Sequence, residues 1–413
     1  MYSCRQNHPE SQAEPRTPGL CNNTPLLTLG HSRPLNRVFL TTFLTATNTP
    51  SLTPDLASVH LPMPASLSVS ALVLGGTGGI GSVIASHLHH SPHNVSILSR
   101  SPATNLVHIE ATLPGASSSN MLSSIPALPS TNASFSTWLS SSTSSRKVLF
   151  VTTKAYDVIP SLSSLLFSAS LSPTSSSPPT PVSVVILSNG LLSLTDELVP
   201  LLASPLISSI TLASTSIGAT VLSCDQDAES RSLEVKQNGW GDTVLSLPLG
   251  SPVGVDLSSP PSPTFLLPLL NSLQFPTTHA DSIWTLLWLK LCANCIINPI
   301  CALNDKSNRH TYELLESEQL LPLLLDELVA VGNRDLEFRG SSDRLTADLV
   351  DDTVRRVVKL TEDNDNSLLQ DVRHSRRTEI EMLNGFVAAR GREFSIATPA
   401  NSLLAERVLN LNS

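Results

Sequence analysis

The sequence predicts an α/β N-terminal domain followed by an all-α C-terminal domain, and three observations carry that expectation. Short β-branched and aliphatic runs recur up to residue 187, a glycine-rich turn joins the first run to a helical segment, and charge density and apolar spacing change near Phe275. A chain of 413 residues also exceeds the size at which a single core stops growing, roughly 250–300 residues, so two domains are expected.

Taken in order, residues 69–74 read as a strand, the glycine turn follows, and residues 82–89 continue as a helix, which makes one β-turn-α unit. Residues 95–98 form a second strand ending at Ser99-Arg100, and residues 148–152 and 182–187 are similar runs. These runs are continuously apolar rather than alternating, the mark of strands buried on both faces, so a parallel sheet is expected. Residues 115–145 and 168–180 are rich in Ser and Pro and read as surface insertions with little chemistry.

Residues 1–275 hold 23 charged side chains, whereas the 138 residues of 276–413 hold 36, so the domain boundary is put at 275/276. From residue 281 the apolar spacing is helical, with amphipathic stretches at 320–331, 345–360 and 367–389. The most apolar window, 283–303, is long enough to span a bilayer. Lys290, Asn294 and Asn298 interrupt it, so it reads as a buried helix and no membrane partner is expected.

Residues 1–62 carry many Ser, Thr, Pro and Asn, few acids and scattered Arg. They read as a dispensable tail, disordered or targeting, before a nucleotide-binding domain over 63–275 that opens at Met63. The expected compartment is the cytoplasm, or the mitochondrion if that tail is a transit segment. A formal charge of −9 and a pI near 5.6, with no block of Lys or Arg, argue against a nucleic-acid partner. Six cysteines form no disulfide framework, and Cys292/Cys295 has no second pair to complete a zinc site, so buried thiols and no metal are expected.

Residues 72–81 contain Gly76-x-Gly78-x-x-Gly81 between strand and helix. Glycines there allow a tight turn and close backbone approach to a pyrophosphate, while the helix N-terminus offers free N–H groups. Gly76, Thr77, Gly78, Gly79, Ile80 and Gly81 are therefore expected to bind a cofactor, which makes the first domain Rossmann-like and dinucleotide-binding. An acid at the end of the second strand would suit the ribose 2′-OH of NAD. Arg100 stands there instead and favours the 2′-phosphate of NADPH.

The turn also fits the spacing of short-chain dehydrogenases, whose active site needs Tyr followed four residues later by Lys. Tyr2, Tyr156 and Tyr312 are followed at that distance by Gln6, Pro160 and Glu316, which excludes that class.

Lys290, Asn294 and Asn298 recur every four residues and share one helix face. An ammonium and two carboxamides on an apolar helix are costly to bury without partners, so the face is expected to meet a polar cleft, the alternative being an internally satisfied network.

The segment Trp288-x-Lys290-Leu291-x-x-Asn294-Cys295-x-Ile297-Asn298-Pro299 resembles the signature of the ketopantoate reductase family. Matches follow in the same order, from residue 72 to 408. Val151-Thr152-Thr153-Lys154-Ala155 resembles the family's strand ending in a cofactor-site lysine, and Leu187-Ser188-Asn189-Gly190 its turn beside the nicotinamide. Ser367 to Arg373, then Arg377-Thr378-Glu379-Ile380-Glu381 and Asn384-Gly385, resemble its C-terminal motif.

The resemblance implies Lys290 as general acid, Glu379 as its acidic partner, and Asn294, Asn298, Asn308 and Ser367 as substrate-binding side chains. Lys154 and Asn189 would join the cofactor site. It implies reduction of 2-dehydropantoate to pantoate with NADPH, a step of pantothenate and coenzyme A biosynthesis, by a monomer or homodimer. Gly75 adds a residue to the glycine turn and Arg309 stands where a glycine often follows Asn308. A reductase of another 2-keto acid and a catalytically silent dinucleotide binder are the alternatives.

Overall fold

The computed structural model describes residues 68–99, 104–114, 120–129, 132–141, 146–170, 180–227, 229–238, 241–249, 265–273, 277–279 and 283–412. The expectations for residues 1–62, for the start at Met63, for Arg100 and for a boundary at Phe275 lie outside them.

Among the described residues, strands β1 (Ser70–Leu74), β2 (Asn94–Ser99), β3 (Leu106–Thr112), β4 (Asn120–Pro129), β5 (Lys147–Val151) and β6 (Val182–Ile186) are joined by β7 (Ile207–Thr215), β8 (Ala219–Gln226), β9 (Ser230–Gln237), β10 (Thr243–Leu245) and β11 (Thr277–His279). They lie in one sheet in the order β11-β10-β7-β6-β5-β1-β2-β4-β3-β9-β8. The four expected strands are β1, β2, β5 and β6. β1, β5 and β6 are buried at every position, as their unbroken apolar runs require. The central run β4-β2-β1-β5-β6-β7 is parallel. Its strand order reverses between β1 and β5, and a crevice outside the carboxyl ends of the strands is the usual ligand site at such a switch point.

Two expectations about this half are corrected. The sheet is not wholly parallel, because β3 runs antiparallel to β4, β8 to β9, and β10 to β7. Residues 115–145 are not all surface insertion. They contain β4, where Ser123, Ile125 and Ala127 are buried in alternation with exposed neighbours, and a helix, α2 (Asn132–Ser140), that buries Phe135, Trp138 and Leu139. Serine is small enough to sit on a buried strand face, so composition concealed a period-two pattern.

Helices α1 (Gly79–His89), α3 (Ala155–Ser170), α4 (Leu191–Leu198) and α5 (Leu266–Ser272) complete this half. The rest is α6 (Trp284–Leu303), α7 (Thr311–Glu318), α8 (Leu321–Phe338), α9 (Ala347–Leu360), α10 (Ser367–Arg373), α11 (Asn384–Glu393) and α12 (Pro399–Leu409). β11 pairs in parallel with β10 at one edge of the sheet.

α6 is long and apolar enough to cross a membrane, but it is the buried axis of the helical half, packed by α7, α8, α9, α10 and α12. Trp288 is fully enclosed. Residues 367–389 are not one amphipathic helix. α10 ends at Arg373, Ser375 takes a left-handed φ of 49°, and a 3₁₀ turn at Ile380–Met382 precedes α11. Left-handed backbone is costly for a side-chain-bearing residue and stops a helix.

Candidate active site

The carboxyl ends of four parallel strands deliver the polar groups of the crevice. The glycine turn follows β1, Lys154 follows β5, Ser188 and Asn189 follow β6, and Thr215 ends β7.

In the first of these, Gly75 sits at φ +86° and its carbonyl accepts the Gly78 N–H at 2.9 Å, closing the turn before α1. A Cβ at Gly81 would lie 2.3 Å from the Gly75 oxygen and 2.5 Å from the Thr152 hydroxyl, so only glycine lets the helix approach β1 and β5 this closely. Gly78 caps α1 with no side-chain hydrogen bond. The first N–H groups of an 11-residue helix are thus left open toward the switch point, which suits a pyrophosphate. Gly76 packs on Ile97 and Gly79 against Ala219, whereas Thr77 and Ile80 are partly exposed beside the turn.

Leu287, Lys290, Leu291 and Asn294 occupy one face of α6, since they follow i, i+3, i+4, i+7 spacing. With Ser188, Asn189, Gly190, Leu191 and Leu192 they line a small open pocket. Three of the expected residues, Asn189, Lys290 and Asn294, are therefore brought together there. The Lys290 ammonium donates to the Thr215 carbonyl at 2.9 Å. Desolvation lowers its pKa to about 8, and the Glu379 carboxylate opposes that shift.

Glu379 is buried, not a solvated helix charge. One of its oxygens accepts the Ala155 N–H at 2.8 Å; the other lies 3.5 Å from the Asn189 amide nitrogen and 3.6 Å from the Lys154 ammonium. Lys154 binds more closely to Asp371, at 2.6 Å. Desolvation works to lower the Lys154 pKa, but Glu379 and Asp371 outweigh it and the net shift is upward. Asp371 also accepts Arg376 Nε at 3.0 Å. This ion-pair cluster joins the end of β5 to α10 and the segment after it.

The remaining expected residues stand apart from the pocket lining. Asn298, one turn beyond Asn294, is buried. Asn308 is also buried, and both ends of its carboxamide are engaged, donating to Thr361 Oγ1 at 2.9 Å and accepting from Asn366 at 3.0 Å. These two bonds fix the carboxamide between the loop before α7 and the N-cap of α10 and leave one N–H and one lone pair beyond them. Ser367 is partly exposed at the first turn of α10, beside the Asn366 N-cap.

Two contributors escaped sequence reasoning. The Thr215 carbonyl is a backbone group with no sequence signal. Asp371 lies four residues after Ser367, so its place on the same helix face was the available sign. Cys292, Cys295 and Cys301 are buried as expected, and desolvation pushes the Cys292 thiol up to about 12. Among the described residues no group of His, Cys, Asp and Glu is arranged to hold a metal.

A family model described as "Ketopantoate reductase PanE/ApbA" matches residues 72–247, and one described as "Ketopantoate reductase PanE/ApbA C terminal" matches residues 282–412. The chain is 33% identical over 147 residues to the 2-dehydropantoate 2-reductase of Vibrio cholerae, an alignment taking in 36% of this chain and 47% of that protein. The chain thus spans about half the length of the curated relatives it matches. Two solved structures share the fold, each over 83% of this chain and 98% of the other. One is a PanE/ApbA family ketopantoate reductase from Ralstonia eutropha, with a TM-score of 0.59 and 18% identity. The other is a D-mandelate dehydrogenase in ternary complex with NADH and anilino(oxo)acetate, with a TM-score of 0.61 and 17% identity. With its sheet half and its helical half each matched in order, the chain belongs to the ketopantoate reductase family.

Proposed function

We propose that this chain reduces 2-dehydropantoate to pantoate with NADPH, and that Lys290 is the general acid. The observation that carries this reading is the Lys290 ammonium, its pKa lowered to about 8, on a pocket shared with Asn189 and Asn294 beside a glycine turn suited to a pyrophosphate. A reduced nicotinamide in the crevice would supply the hydride. As the hydride adds to C2, the carbonyl electron pair moves onto oxygen. Lys290 stabilises that charge, gives its proton to complete the hydroxyl, and is reprotonated from solvent.

Asn294 and Asn189 orient the substrate, with Ser367 and Asn298 as further substrate-binding side chains on α10 and α6. Asn308 is also a substrate-binding side chain of this reading, held by Asn366, whose neighbour is Ser367. Glu379 holds the Lys154–Ala155 turn and keeps a negative charge near Lys290, which favours the protonated acid. Gly76, Thr77, Gly78, Gly79, Ile80 and Gly81 form the pyrophosphate cradle. Lys154 and Asn189 would join the cofactor site, and Arg100, next after the last residue of β2, would favour the 2′-phosphate.

The experiment is oxidation of NADPH and of NADH by the purified chain with 2-dehydropantoate, 2-oxoisovalerate and phenylglyoxylate. Turnover is expected to be fastest with 2-dehydropantoate and NADPH. Preference for phenylglyoxylate would move the substrate toward that of the D-mandelate enzyme, and no turnover with any acid would leave the silent dinucleotide binder.

A further inference from the structure

A second polar cluster, outside the pocket lining, has no assigned part in the chemistry. Arg339, at the C-terminus of α8, is nearly enclosed, with 6% of its side chain exposed. Its Nε donates to Asp335 at 2.7 Å, one terminal nitrogen donates to Thr195 Oγ1 at 2.9 Å, and its guanidinium lies 4.8 Å from the centre of the Trp284 ring. Asp335, fully buried, also accepts Trp288 Nε1 and Arg390 Nε, each at 2.8 Å. Thr195 in turn donates its hydroxyl proton to the Leu192 carbonyl at 2.9 Å.

These contacts reach Leu192 in the pocket lining on one side and α6, the helix that carries other lining residues, on the other. Leu192, with Gly190 and Leu191, belongs to the wall formed by the start of α4. Trp284 and Trp288 belong to α6, whose opposite wall carries Leu287, Lys290, Leu291 and Asn294. We infer that Arg339 is a positioning residue that, through the Thr195 hydroxyl, sets the spacing between the Asn189–Leu192 wall and the Lys290 helix. A planar fork with several fixed donors suits this task, because one group bonds Asp335 and Thr195 at once and stacks on an indole. An ammonium at the same place has no such geometry. The inference rests on the catalytic reading of the pocket, where errors of about 1 Å in the placing of reacting groups cost up to about 100-fold in rate.

The test compares the wild type with T195V, T195S and R339K in the full chain. T195V keeps the side chain's shape and removes the hydroxyl. It is expected to lower kcat for the 2-oxo acid about tenfold, with the dissociation constant for the dinucleotide within about twofold of wild type. T195S, which restores the hydroxyl, should return kcat to near the wild-type value, and R339K should behave as T195V. Hydrogen exchange reads the tie without substrate: residues 189–195 should exchange faster in T195V and R339K, and at the wild-type rate in T195S.

Folded T195V with normal kcat and normal exchange overturns the inference, as does T195S as impaired as T195V. If T195V does not fold, R339K carries the same two readouts. A wild type inactive on every 2-oxo acid defeats the functional reading alone, and exchange then decides the positioning role by itself.

Discussion

Two lysines with lowered pKa, one in each half of the molecule, differ in what surrounds the ammonium. Lys147, in β5, is enclosed to 1% exposure and donates to the carbonyls of Trp138, Leu139 and Ser141 at the end of α2. Lys290, in α6, has the Thr215 carbonyl as its hydrogen-bond partner among the described residues and faces a pocket. Desolvation lowers both to a pKa of about 8. An ammonium has three donors. Lys147 spends all three on the C-terminal end of one helix, whereas Lys290 makes one such bond among the described residues. A perturbed pKa is therefore no mark of function by itself; it becomes one where donors are left over at a cleft.

The largest effect expected from this contrast is at Lys290. Lys290→Ala should lower kcat by at least on the order of 100-fold while dinucleotide affinity, measured by fluorescence titration, stays near the wild-type value. A near-normal kcat in the folded variant would reduce Lys290 to a second Lys147. Glu379→Gln should lower kcat on the order of tenfold, because it removes the charge that favours protonated Lys290 and loosens Lys154. Steady-state kinetics across pH 6–8 would sharpen the point, since a purely structural Glu379 would change stability and leave kcat alone.

Lys147→Met should do the reverse. It leaves the α2 carbonyls without their donor and should cost about 1–3 kcal/mol by urea denaturation, with kcat of the folded protein within about twofold of wild type. A large kcat loss at constant stability would erase the distinction between the two lysines.

How far these features could be read from sequence depended on range and atom type. The β1–α1 unit, with Gly76, Gly78 and Gly81, is local, and its residues show strand, turn and helix within one short window. The stripe Lys290, Asn294, Asn298 is also local, since helical periodicity puts the three on one face. β4 and α2 were missed because serines took buried positions that aliphatic residues usually mark.

The edge hairpin β8–β9 was missed because most of β8 is exposed and lacks a buried face to impose alternation. Glu379 was recognisable by motif, yet its burial depends on contacts with Ala155, Asn189 and Lys154 more than 180 residues away in the chain. Asn308 too was recognisable only by motif, and its bonds to Thr361 and Asn366, 53 and 58 residues away in the chain, could not be read from the sequence.

The central claim is that Lys290 is the proton donor in reduction of a 2-oxo acid, and the pH dependence of kcat/KM in both directions tests it most directly. Reduction needs the protonated ammonium, so kcat/KM should be level below the Lys290 pKa of about 8 and fall about tenfold per pH unit above it. Oxidation of the 2-hydroxy acid needs the neutral amine and should rise through the same midpoint. Opposed limbs crossing near pH 8 are the predicted result. Flat profiles from pH 7 to about pH 9.5, or two limbs of the same sign, would contradict it.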